Sequence, residues 1–125
     1  MRTYKAELGA LQLELAVNFR AGREITEKVA DPMFVLRETQ AVQGAEKVGM
    51  RYQSKFAWGM ENIPLAIWIG AKETQPALKL SEVQEACIEI GLVDAMQIAD
   101  EFLVQFITPK SKEPLETKGE SAPGE

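Results

Sequence analysis

Leu11, Leu13, Leu15 and Val17 alternate with Gln12, Glu14 and Ala16, the period of a strand with one buried face. At Asn18 that period breaks and a helical one begins with Phe19, so the strand passes directly into a helix. Upstream, Thr3 to Leu8 reads as a first strand, and Gly9-Ala10 is short enough for a tight hairpin connection. Two strands alone are marginal in water. The hairpin must therefore pack on helices or extend a neighbour's sheet.

Asn18 is placed to cap a helix reaching about Val29, with Phe19, Gly22, Ile25 and Val29 on one face. Gly22 in its middle costs about 1 kcal/mol relative to alanine, which points to close approach by another element. Asp31-Pro32 is a second cap, opening a helix through Met33 and Leu36 to about Ala41. From Gln43 to Met60, punctuated by Gly44, Gly49 and Gly59, the pattern predicts a loop with extended pieces. Glu61-Asn62-Ile63-Pro64 then opens a helix carrying Leu65, Ile67, Trp68 and Ile69 to a stop near Gly70. It is apolar almost all round, the mark of a central buried helix.

Leu80-Ser81-Glu82-Val83-Gln84 predicts a capping box, with Ser81 as N-cap, Gln84 as its partner and Leu80 as a hydrophobic staple. That helix runs to Ile90 and stops at Gly91, and a longer one follows from Leu92 to Ile107. In the last helix Leu92, Ala95, Met96, Ala99, Phe102, Leu103 and Phe106 form one stripe, opposite Asp94, Gln97, Asp100, Glu101 and Gln105. The expected fold is α+β, mainly α: a short N-terminal β-hairpin packed on a bundle of about four to five helices. One domain over 1–108 is followed by a polar tail, 109–125, whose one large aliphatic residue is Leu115 and which is expected to be disordered.

Composition narrows the function classes. A chain of 125 residues with 46% hydrophobic and 26% charged residues can build its own core in a single domain. No run approaches the roughly 18 apolar residues of a membrane helix; the densest, Ile63 to Ala71, contains Pro64. Met1-Arg2-Thr3-Tyr4 leads straight into alternating sequence, so no export signal and a cytoplasmic site of action are expected. Cys87 is the single cysteine, which forbids an internal disulfide and a thiolate-rich zinc site; beside Val83 it reads as a small buried hydrophobe. The absence of histidine removes Ser/His/Asp and Cys/His catalysis.

The formal charge of −5 disfavours phosphate, and Arg20, Arg23, Lys28 and Arg37 are interleaved with Glu24, Glu27 and Glu38. Only Lys47 to Lys55, with Arg51 between, is denser in cations, and it reads as a solvated loop or short strand. Asp100-Glu101 and the Glu24/Glu27/Lys28 group read as surface charge, with Glu24 and Lys28 at favourable helical spacing. Gly44 and Gly49 have phosphate-loop spacing but lack the following Lys-Ser/Thr. No catalytic residue, cofactor site or metal site is expected.

Leu13-Glu14-Leu15-Ala16-Val17-Asn18-Phe19-Arg20-Ala21, then Glu24-Ile25 and Asp31-Pro32, resembles the opening of the tail assembly chaperone family of siphophages and gene transfer agents. Asn62 to Ala71 resembles that family's apolar helix and the turn after it. Leu80-Ser81-Glu82-Val83 followed by Ile90-Gly91-Leu92 resembles its passage into the last helix. The likeness runs from Tyr4 to Phe106 and rests on the order and spacing of these motifs. Ala71-Lys72 follows Gly70 where the family usually has leucine, and the 43–60 stretch is longer and more aromatic, with Tyr52, Phe56 and Trp58 as either core or docking surface.

The resemblance implies a protein that does no chemistry. It would bind the long helical tape-measure protein of a phage, prophage or gene transfer agent in the producing cell and release it as tail-tube subunits polymerise. Tail-tube protein and a second copy of the chain are further candidate partners; nucleic acid and membrane are not. The candidate contacts are Trp58, Met96, Phe102 and Phe106. The alternative within the same setting is a structural tail component, a tail-tube or tail-completion protein retained in the virion.

Overall fold

The computed structural model describes residues 1–110, in which a two-stranded antiparallel hairpin precedes five helices. Strand β1 (Thr3–Leu8) pairs with β2 (Leu11–Ala16) so that Tyr4 faces Leu15, Ala6 faces Leu13 and Leu8 faces Leu11. Ala6, Leu8, Leu13 and Leu15 are buried on the inner face, while Lys5 opposes Glu14 on the outer one. Gly9 turns the hairpin with φ 63°, a value that glycine adopts freely. The ladder extends past β2 through Val17, whose N–H donates to the Arg2 carbonyl at 2.9 Å.

Helix α1 (Phe19–Lys28) is capped as expected: the Asn18 side chain accepts from the Ala21 N–H at 2.9 Å. Helix α2 (Pro32–Lys47) starts with Asp31 accepting from the Met33 N–H at 2.9 Å and Pro32 in the first turn. It outruns its predicted end at Ala41. A single glycine costs a helix only about 1 kcal/mol, and the helix continues through Gly44 to Lys47.

Helix α3 (Asn62–Lys72) is the centre of the fold, packed against β2, α1, α4 and α5. Ile63, Ala66, Ile67, Ile69, Gly70 and Ala71 are all buried, as its all-round apolar sequence requires. Helices α4 (Leu80–Ile90) and α5 (Leu92–Ile107) are divided by Gly91 at φ 96°. The cap of α4 falls on Lys79, not Ser81. Glu82 accepts from the Lys79 N–H at 2.8 Å, and the Trp68 indole N–H holds the preceding Leu78 carbonyl at 3.0 Å, so Ser81 lies inside the first turn. The predicted tail begins at Pro109, and all but its first two residues lie outside the described residues.

Candidate functional site

The start of α1, the start of α2 and the end of α5 meet around an open groove of about 790 Å³. Val17, Phe19, Gly22, Met33, Phe106 and Ile107 supply its apolar lining, with Arg2, Arg23, Glu27 and Asp31 among the polar groups around them. Phe19 is 77% exposed and Met33 44%, and the Arg23 guanidinium lies 5.0 Å from the Phe19 ring centre. The sequence pattern placed Phe19 on the buried face of α1. Ala21 and Ile25 are the buried residues, and Phe19, two positions before Ala21, is rotated about 200° from it around the helix.

Phe106 packs edge-on to Phe102, ring centres 5.2 Å apart, and lies over Gly22, where an added Cβ would meet its ring carbons at 3.2 and 3.3 Å. The close approach expected at Gly22 is therefore made by Phe106. Of the four contact residues expected from the sequence, Phe106 alone lines this groove. Phe102 is completely buried, so it supports Phe106 from within the core and has no surface for a partner. Met96 is half-buried against the same core.

Trp58 belongs to a different region, the irregular segment between α2 and α3. Its indole N–H donates to Asp100 at 3.3 Å and its ring meets Phe56 edge-on at 5.0 Å, both aromatics packing against the core. Asp100 is accordingly half-buried and tied down, whereas the helical pattern had placed it on the solvated side. Glu101 is exposed and accepts from the Tyr4 hydroxyl at 2.5 Å.

The same segment is anchored by a carboxylate that the sequence shows only as one of the acidic residues interleaved with the cations of α1 and α2. Glu38 is buried on α2 and accepts from the Lys55 backbone N–H at 2.6 Å and the Tyr52 hydroxyl at 3.0 and 3.1 Å. The Lys55 N–H, followed by the Tyr52 hydroxyl and nearby positive charge, holds its carboxyl below the usual carboxylate range against the opposing effect of burial. No periodicity announces this role, because the partners lie 14 and 17 positions away in a stretch without regular structure.

Glu24 bridges two helices. It receives Lys28 at 2.8 Å within α1 and Lys72 at 2.6 Å from α3, and Lys72 also sits 4.5 Å over the Trp68 ring. Burial raises the Glu24 carboxyl, but the two ammonium groups outweigh it and leave its pKa lowered. Cys87 is buried, and desolvation pushes its thiol up to about 11. The perturbed carboxylates are thus held ionised by structural partners, and burial holds the thiol protonated. Among the described residues no group of three or more acidic, histidine or cysteine side chains could hold a metal ion, and no helix is long and apolar enough to cross a membrane.

No family model matches the chain, and neither a curated protein nor a solved structure matches it significantly.

Proposed function

We propose that this protein is a tail assembly chaperone of a phage, prophage or gene transfer agent, binding the tape-measure protein in the cytoplasm of the producing cell and assisting tail-tube polymerisation without catalysing a reaction. The observation that carries the reading furthest is the apolar groove at α1, α2 and α5, with Phe19 and Met33 exposed at its surface. A contiguous apolar surface of this kind marks an interaction site, and a groove between helices accepts the apolar stripe of another helix. The tape-measure protein offers such stripes. The formal charge of −5 keeps the complex dispersed.

The motifs behind the family resemblance also frame the groove. Leu13 to Ala21 forms the hairpin exit and the start of α1, Asp31-Pro32 starts α2, and Phe106 closes the α5 side. Co-expression with the tape-measure protein of the same tail module tests the reading. The chaperone should raise the soluble fraction of its partner and be co-purified with it, and Phe19→Glu with Met33→Glu should abolish both while the domain stays folded. A tape-measure protein equally soluble with and without this chain overturns the proposal.

A structural tail component is the second reading, favoured by one feature. Among the described residues β1 pairs with β2 alone, which makes it an edge strand of the kind that strand addition by a tail subunit would extend. Mass spectrometry of purified mature particles separates the two. Stoichiometric retention supports the structural role, and absence from the particle supports the chaperone.

A further inference from the structure

The groove at α1, α2 and α5 lies where the chain leaves the last helix. Phe106 and Ile107, at the end of α5, line it, and the sequence runs on from there to Ser111-Lys112-Glu113-Pro114-Leu115-Glu116. Leu115 is the one large aliphatic residue after Ile107 and follows it by eight positions. Fully extended, that length of chain reaches about 26 Å, at about 3.3 Å per residue. Phe19 and Met33 line the same groove as Ile107, so both are within its reach.

The chemistry of the segment matches that of the groove. Arg23, beside the exposed Phe19 ring, makes no ion pair among the described residues. Proline fixes its own φ and biases the residue before it towards extended backbone, so Glu113-Pro114-Leu115 favours an extended run. In such a run Glu113 and Leu115 share a face about 7 Å apart. Leu115 complements Phe19 and Met33, and Glu113 complements Arg23. The groove between α4 and the hairpin turn is rimmed by Glu82, Glu85 and Glu89 with no lysine or arginine in its lining, and it repels the same carboxylates. Attachment to α5 also holds the segment at an effective concentration on the order of mM, so a contact too weak to form between free molecules is populated within one chain.

We propose that Glu113-Pro114-Leu115-Glu116 of this chain docks in the groove at α1, α2 and α5, with Leu115 against Phe19 and Met33 and Glu113 beside Arg23. A partner's helix then enters the groove only by displacing the chain's own segment. That consequence rests on the tape-measure reading, whereas the docking involves no protein but this one.

Methyl NMR of the full-length protein, labelled at methionine, reads the docking at Met33. Leu115→Asp should shift the Met33 resonance and leave those of Met50 and Met60, between α2 and α3, in place. A synthetic peptide of residues 111–125, added to that variant, should return Met33 saturably towards its wild-type position with a Kd on the order of mM. The response of Met33 to Leu115→Asp should shrink in a Glu113→Arg or an Arg23→Glu background and recover when the two are combined. Met33 unmoved by Leu115→Asp, no response to the peptide, or no recovery in the combined background overturns the inference. So does a Met33 shift that varies with protein concentration, which places the segment of a second copy in the groove. In the co-expression assay Leu115→Asp should bind the tape-measure protein about threefold or more tighter than wild type, and equal binding overturns the displacement. Tape-measure protein bound by neither form overturns the chaperone reading, while the Met33 response decides the docking.

Discussion

The tip of the Phe102 ring occupies the space that a side chain at Gly70 would need: a Cβ built on Gly70 would stand 2.5 Å from Phe102 Cζ and 3.0 Å from the Leu15 Cβ. Strand β2, α3 and α5 converge there, and Phe102 is wholly buried, so its ring has nowhere to retreat. Alanine in a helix gains about 1 kcal/mol over glycine, but overpacking a filled core costs about 1–3 kcal/mol. Gly70→Ala should therefore lower the urea midpoint, and an unchanged or raised midpoint would show that the α3–α5 contact is looser than described.

Gly22 presents the opposite balance. Its neighbour is Phe106, at 3.2 and 3.3 Å from the built Cβ, but Phe106 borders the open groove and can turn outward by the few tenths of an ångström required. Gly22→Ala should leave stability equal to wild type or up to about 1 kcal/mol higher, measured on the same urea scale. A loss as large as that of Gly70→Ala would mean that Phe106 is fixed in place.

Glu38 should control the order of the strip that follows α2. Its pKa lies below the ordinary carboxylate value, so the stabilisation it gives is present at neutral pH and lost as pH falls through the lowered folded-state value. Glu38→Gln removes the charge that holds the Lys55 N–H and the Tyr52 hydroxyl. Trypsin should then cut after Arg51 and Lys55 faster than in wild type at neutral pH, with the difference shrinking in acid. Equal cleavage rates at neutral pH would remove Glu38 as the anchor.

Both tyrosines should ionise late. Desolvation and the Glu101 carboxylate raise the Tyr4 hydroxyl above its ordinary value of 10, and the Glu38 carboxylate, followed by desolvation, raises Tyr52. The folded state thus keeps protons that the unfolded chain releases, and stability falls as pH rises from about 10. Tyrosinate absorbance at about pH 10.5 should be much lower for the folded protein than for the same protein in denaturant, and Tyr4→Phe should leave only the Tyr52 share. Coincident titration curves for folded and unfolded protein would contradict both contacts.

The residues legible in the sequence are those whose structure is made with near neighbours. The alternation of Leu11 to Val17 specifies the inner face of β2, because side-chain direction along a strand repeats every two residues. Asn18 and Asp31 were readable as caps since their partners, Ala21 and Met33, are three and two residues away. The apolar circumference of α3 likewise required a central position, and Gly91 required a break between the last two helices.

Tertiary contacts decided the rest. Trp58 finds Asp100 across 42 positions and Tyr4 finds Glu101 across 97, separations over which no local periodicity carries information. Ser81 has the side chain of an N-cap, yet the Trp68 bond to Leu78 and the Glu82 bond to Lys79 start α4 earlier. Phe102 and Phe106 share one helical stripe in the sequence. Gly70 draws the first into the core while the hairpin exit and the start of α2 leave the second at an open groove, and only the packing of separate elements makes that distinction.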